Sequence, residues 1–111
     1  MHIQIFGDKK SKDSAKAERF FKERGIIFHY RELSEDGISE GELDSICKSI
    51  PIYDLIDKTG KEFRKRNMQF MVYDTREELL TDAKLFRTPI VRNEHKATVG
   101  YQPDIWLTWI K

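Results

Sequence analysis

The chain has 111 residues and a mass of 13.2 kDa, enough for one hydrophobic core and too little for two. With 39% hydrophobic and 35% charged residues and a mean hydropathy of −0.64, the composition suits a soluble globular fold and excludes one built in a bilayer. Twenty Lys and Arg against nineteen Asp and Glu leave a net charge of +1, so no global field steers the molecule toward nucleic acid or anionic lipid.

His2 to Phe6 is a short β-prone run stopped by Gly7 and Asp8, a first strand ending in a turn. Ala17, Phe20 and Phe21 then recur at helical spacing, with Ser11 and Ser14 near the start and Gly25 placed to end the helix. Ile26 to Leu33, rich in β-branched and aromatic residues, reads as a second strand, parallel to the first. Ser39 and Glu42 form a capping box ahead of Leu43, Ile46, Cys47 and Ile50, and Pro51 closes that helix. Pro51 to Tyr73 is less regular, with a short helical piece around Lys61 to Arg66. Thr75 and Glu78 suggest another capping box before Leu79, Leu80 and Ala83. Thr88 to Arg92 and Lys96 to Val99 are strands of a hairpin through Asn93, Glu94 and His95. A last helix starts at Pro103 and buries Ile105, Trp106, Trp109 and Ile110.

The order β-α-β, then helices, then β-β-α predicts a single α/β domain over residues 1–111, of thioredoxin-like (glutaredoxin-like) fold, with a helical insertion over about 38–84. In that layout the turn after the first strand and the start of the first helix meet the loop at Thr88-Pro89, a peptide bond that can be cis. Cys47, the single cysteine, lies on an apolar helix stripe and reads as a packed thiol. It rules out an internal disulfide, and the default compartment is a reducing cytoplasm. The start, MHIQIFGDKK, lacks the apolar stretch of a signal peptide. His2, His29 and His95 stand apart, without metal-ligand or triad spacing, so neither a metal nor another cofactor is expected. Lys9, Lys10 and Lys12, with Lys16 a turn later, surround a helix N-terminus, where a small anion is attracted. Lys58 to Arg66 is basic and Glu32 to Asp44 acidic, an asymmetry that could dock a protein partner. The aromatics are committed to core positions, which speaks against nucleic acid.

Three segments carry a family resemblance: IQIFGDKKSKDSAKAERFFKERGI, SEGELDSIC and RTPIVRNEHKATVGYQPDIW. Together they resemble the ArsC/Spx family of glutaredoxin-like proteins, which includes arsenate reductases and the regulator Spx, and come closest to an ArsC-like branch outside those two activities. The resemblance implies a thiol oxidoreductase scaffold whose nucleophilic cysteine falls at Ser11 and whose second CxxC-like position is Ser14. It also implies an anion-binding site that draws on Lys9, Lys10, Lys12, Arg87, Thr88 and Pro89. Family arginines fall where this chain has Thr88, with Arg87 beside it, Tyr101 and Gln102, and the lysines of 58–61. Each departure weakens arsenate as substrate, because a lysine does not replace a bidentate arginine fork.

A serine hydroxyl without an adjacent base is no substitute for a thiolate. The site is therefore redox-inactive as written, whether Ser11 is natural or an engineered replacement for cysteine, and Ser11 reads first as a helix cap. The family's partner would be a thiol donor such as glutathione or thioredoxin. The alternative is a Spx-like regulatory protein that contacts RNA polymerase.

Overall fold

The computed structural model describes residues 1–110. Strand β1 (Ile3–Gly7) leads into helix α1 (Lys12–Glu23) and strand β2 (Phe28–Glu32). Four helices follow: α2 (Leu33–Asp36), α3 (Glu40–Cys47), α4 (Lys61–Lys65) and α5 (Thr75–Thr81), with 3-10 turns at Ile52–Asp54, Met68–Phe70 and Ala83–Leu85. Strands β3 (Ile90–Asn93) and β4 (Lys96–Val99) and helix α6 (Pro103–Ile110) complete the chain. The sheet order is β2-β1-β3-β4, with β1 parallel to β2 and antiparallel to β3. This is the mixed α/β, thioredoxin-like architecture that the element order predicts.

Alternation along the strands divides the core in two. Ile3, Ile5 and Val91 face α1 and α6, where Ala17, Phe20, Phe21 and Trp106 are buried. Phe6 and Ile90 face the other way, onto a larger cluster with Leu43 and Ile46 of α3, Phe63 of α4, Met68 and Leu79. The helices between β2 and β3 therefore form the second layer of the fold. Arg92 ties α3 to the sheet by donating to Gln4 Oε1 at 3.2 Å and Ser45 Oγ at 3.0 Å.

Local chemistry explains most element ends. Ser11 Oγ caps α1 by accepting from Ser14 N at 3.2 Å. Gly25 (φ 67) closes that helix in a Schellman turn, with Gly25 N donating to Lys22 O at 3.0 Å and Ile26 N to Phe21 O at 3.0 Å. Ser39 and Glu42 complete their capping box. Other expectations shift by a residue or two. The cap of α5 is Asp74, which accepts from Glu77 N at 3.0 Å, so the expected Thr75–Glu78 box does not form and a simple cap stands one residue earlier. Strand β2 begins at Phe28, because the Ile26 amide belongs to the Schellman turn and Ile27 is 91% exposed. Strand β3 begins at Ile90, since Thr88-Pro89 forms a cis bend. In α6 only Trp106 is fully enclosed; Ile105 is 43% exposed and does not join the core. Among the described residues, no helix is long and apolar enough to cross a membrane.

Candidate functional site

Gly7, the last residue of β1, is where the site begins. A Cβ there would lie 2.7 Å from Tyr30 Cε2 and 2.9 Å from its hydroxyl oxygen, so glycine is what lets the Tyr30 ring cross the strand end. Tyr30 then donates to Glu32 Oε1 at 2.8 Å. Glu32, only 8% exposed, also accepts from Ser34 Oγ at 2.8 Å and from Lys9 N at 3.0 and 3.2 Å through its two oxygens. One buried carboxylate thus clamps the loop between β1 and α1 to the end of β2. Burial alone would push the Glu32 carboxyl up, but the hydrogen bonds from Tyr30, Ser34 and Lys9 outweigh it and hold it below the usual range. Burial, joined by the Glu32 charge, pushes the Tyr30 hydroxyl well above its ordinary value.

The rest of the loop is equally self-bonded. Asp8 N donates to Ser14 Oγ at 3.1 Å, Lys10 N to Asp8 Oδ1 at 2.9 Å, and Ser11 N to Asp8 O at 2.8 Å. The amides of Lys9, Lys10 and Ser11 are therefore turned inward, and those of Lys12 and Asp13 remain as the unbonded first-turn donors of α1. Ser14 is 1% exposed and lies behind the loop, where it serves the Asp8 amide.

Ser11 faces a cleft of about 880 Å³. One wall is Asp8, Lys9, Lys10, Ser11 and Asp13, with Ser34 beside them. The opposite wall comes from the helical layer: Asp57, Gly60, Lys61, Glu62 and Lys65. Lys84, Phe86, Arg87, Thr88 and Gly100 complete the lining. The loop carrying Arg87 is positioned by a bridge between Phe86 and Ile56, by Arg87 N donating to Leu55 O at 2.7 Å, and by its guanidinium donating to Asp54 O at 3.1 Å. Lys9, Lys10, Lys61, Lys65, Lys84 and Arg87 set six cations against the carboxylates of Asp8, Asp13, Asp57 and Glu62. The balance is positive, and Asp8 and Asp13 temper it at Ser11 itself.

The structure brings Ser11, Lys9, Lys10, Arg87 and Thr88 to one cleft, as the sequence reading groups them. Lys12 is exposed but does not line it, Pro89 is buried, and Ser14 sits underneath the loop. Cys47 does not line it either; burial, with help from Asp44, pushes its thiol up. Among the described residues, no group of His, Cys, Asp or Glu is arranged to hold a metal ion. Sequence reading overlooks Lys65 and Lys84, which folding delivers from the helical layer, and the Tyr30-Glu32-Ser34 clamp. The clamp leaves a trace in the sequence, since polar residues two apart at a strand end share a face. Nothing local links them to Lys9.

Residues 6–109 match the model of the ArsC family. The chain belongs to that family. Solved structures similar to this ArsC domain include a Bacteroides fragilis protein described as ArsC family related, with TM-score 0.86, 21% identity and 97% of each chain covered. An arsenate reductase from Vibrio cholerae aligns with TM-score 0.82 at 18% identity, again over 97% of each chain. An arsenate reductase (ArsC) related protein from Brucella melitensis gives 0.70 at 23% identity, over all of this chain and 96% of the other. These likenesses establish the ArsC fold. No curated protein matches the chain.

Proposed function

We propose that this ArsC-family domain uses the Ser11 cleft to bind a small anionic ligand, and that it does so without thiol–disulfide chemistry at that site. The observation that carries the reading is the position of Ser11. It caps α1 at the mouth of a cleft that also holds Thr88 of the cis Thr88-Pro89 bond and an excess of cations. A thiolate there would be stabilised by the helix terminus and the lysines. A hydroxyl gains little, because its Oγ already accepts from Ser14 N and no basic imidazole or free carboxylate is bonded to it. What remains is the scaffold of an arsenate reductase-like oxidoreductase with its anion-attracting walls.

Ser11→Cys tests the reading. The new thiol should have a pKa below the free value of about 8.5. With oxidised glutathione its thiolate should attack one sulfur, forming a mixed disulfide and releasing one glutathione thiolate. The chain with Ser11 should form no such adduct in the cleft. Cys47 is the internal control, since its raised thiol pKa predicts slow alkylation near neutral pH. If the Cys at position 11 reacts no faster than Cys47, the cleft lacks the electropositive character the reading needs. In the unmodified chain, sulfate should shift the amides of Lys12, Asp13 and Thr88; shifts centred elsewhere would remove the anion site.

A further inference from the structure

Folding treats the acidic and basic runs of the sequence unequally. In the acidic run, Glu32 clamps the Lys9 amide, Glu35 pairs with the Lys9 ammonium at 3.3 Å, and Glu42 pairs with Arg31. Glu40 and Asp44 share Arg76 at 3.3 Å each. In the basic run only Arg66 is paired, with Glu78 and Asp82. Lys58, Lys61, Arg64 and Lys65 are exposed and make no ion pair among the described residues.

Directly after α4 the chain turns through Asn67 (φ 55), buries Met68, and emerges as Phe70, Met71 and Val72, which are 84%, 47% and 104% exposed. The segment stays against α4, because Tyr73 packs edge-on to the buried Phe63 with ring centroids 6.1 Å apart. Its backbone is extended at both ends, at Met71 (φ −113, ψ 150) and Asp74 (φ −92, ψ 113). Met71 N donates to Met68 O, but the amides of Val72 and Tyr73 donate to no described residue. After the 3-10 turn that ends at Phe70, the chain therefore carries two bare backbone donors beside exposed apolar side chains.

We propose that Phe70 to Tyr73 and the unpaired cations of 58–65 form a docking surface for an acidic segment of another protein, bound in extended conformation with apolar side chains interleaved among its carboxylates. Carboxylates would meet Lys58 and Arg64, a backbone carbonyl of the bound segment would accept from one of the two bare amides, and its apolar side chains would cover Phe70 and Val72. A polypeptide supplies a backbone carbonyl at fixed spacing from its carboxylate and apolar side chains, so a single segment can meet the amide, the cations and the apolar side chains together. A polyanion without apolar groups would leave Phe70 and Val72 in water. The surface adjoins the cleft through Lys61 and Lys65, whereas Arg64 and Val72 do not line the cleft and allow it to be tested alone.

The probe is a short synthetic peptide alternating Glu and Val, with one alternating Lys and Val as the charge control, titrated against the whole chain by amide NMR. The Glu-Val peptide should shift Val72 and Tyr73, its affinity should fall as salt is raised, and Arg64→Glu and Val72→Asp should each weaken it about tenfold. Both variants should keep the sulfate response at Lys12 and Asp13, which separates this surface from the cleft. Equal binding of the Lys-Val peptide, shifts that avoid Val72 and Tyr73, or an affinity unchanged in both variants would overturn the proposal. So would stronger binding to phosphatidylserine-containing vesicles than to the peptide, or a self-association that Val72→Asp abolishes.

Discussion

Glu32→Leu removes the carboxylate that joins three separate pieces of the site, and its cost can be worked from the structure. Ser34 is exposed, so its hydroxyl returns to water at little cost. Lys9 N and the Tyr30 hydroxyl are part-buried donors that lose a charged acceptor. Each such loss costs about 1–3 kcal/mol. Allowing for the apolar burial that leucine regains, a net destabilisation of about 3 kcal/mol follows. For a domain of this size that corresponds to a fall in Tm on the order of 10 °C. Urea unfolding monitored by tryptophan fluorescence measures it, and Tyr30→Phe, which removes one donor and leaves Glu32 with the others, should cost about half as much. The pH dependence supplies a second arm. The folded Glu32 carboxyl lies below its ordinary value of 4.5, so the stability it contributes is full above that pH and is lost as pH falls through the folded value. The acid limb of the stability curve should therefore be shallower in Glu32→Leu than in the parent. Glu42, lowered in the same direction, keeps it from vanishing. A Glu32→Leu cost under about 1 kcal/mol, with an unchanged acid limb, would refute the clamp.

Gly7→Ala should displace the Tyr30 ring, because the new Cβ would stand 2.7 Å from Tyr30 Cε2; the expected cost is about 1–3 kcal/mol. An ultraviolet titration should then show the late-ionising tyrosine of the parent moving down toward 10.0. Trp106→Ala should cost about 4 kcal/mol, whereas Ile105→Ala on the same helix should cost under about 1 kcal/mol, and equal effects in denaturant would contradict the packing of α6. Asp74→Ala should cost about 1 kcal/mol and Thr75→Ala a few tenths; thermal unfolding that ranks them the other way would put the start of α5 one residue later.

Where a structural feature depends on residues a few positions apart, the sequence displays it. The Ser11 cap, the Gly25 stop, the Ser39–Glu42 box and the two-faced strands all follow from near neighbours and from periodicity, and all appear in the structure. The element order then implies the parallel β1–β2 pair and the β3–β4 hairpin, so the fold and the meeting of Ser11 with Thr88 are legible before any coordinates. Choices between adjacent competitors are not: Asp74 and Thr75 can each cap a helix, and the folded chain uses Asp74, whose side chain accepts from Glu77 N. Long-range placement is hidden more deeply. Glu32 reads as an ordinary strand residue until the parallel register sets it beside Gly7 and the Lys9 amide. Lys65 and Lys84 become cleft residues only when the helical layer closes over the sheet. The two charge runs look equivalent in sequence, yet Arg31 and Arg76 neutralise acidic residues and leave most of the basic run unpaired, because ion pairing depends on distances that tertiary contacts alone establish.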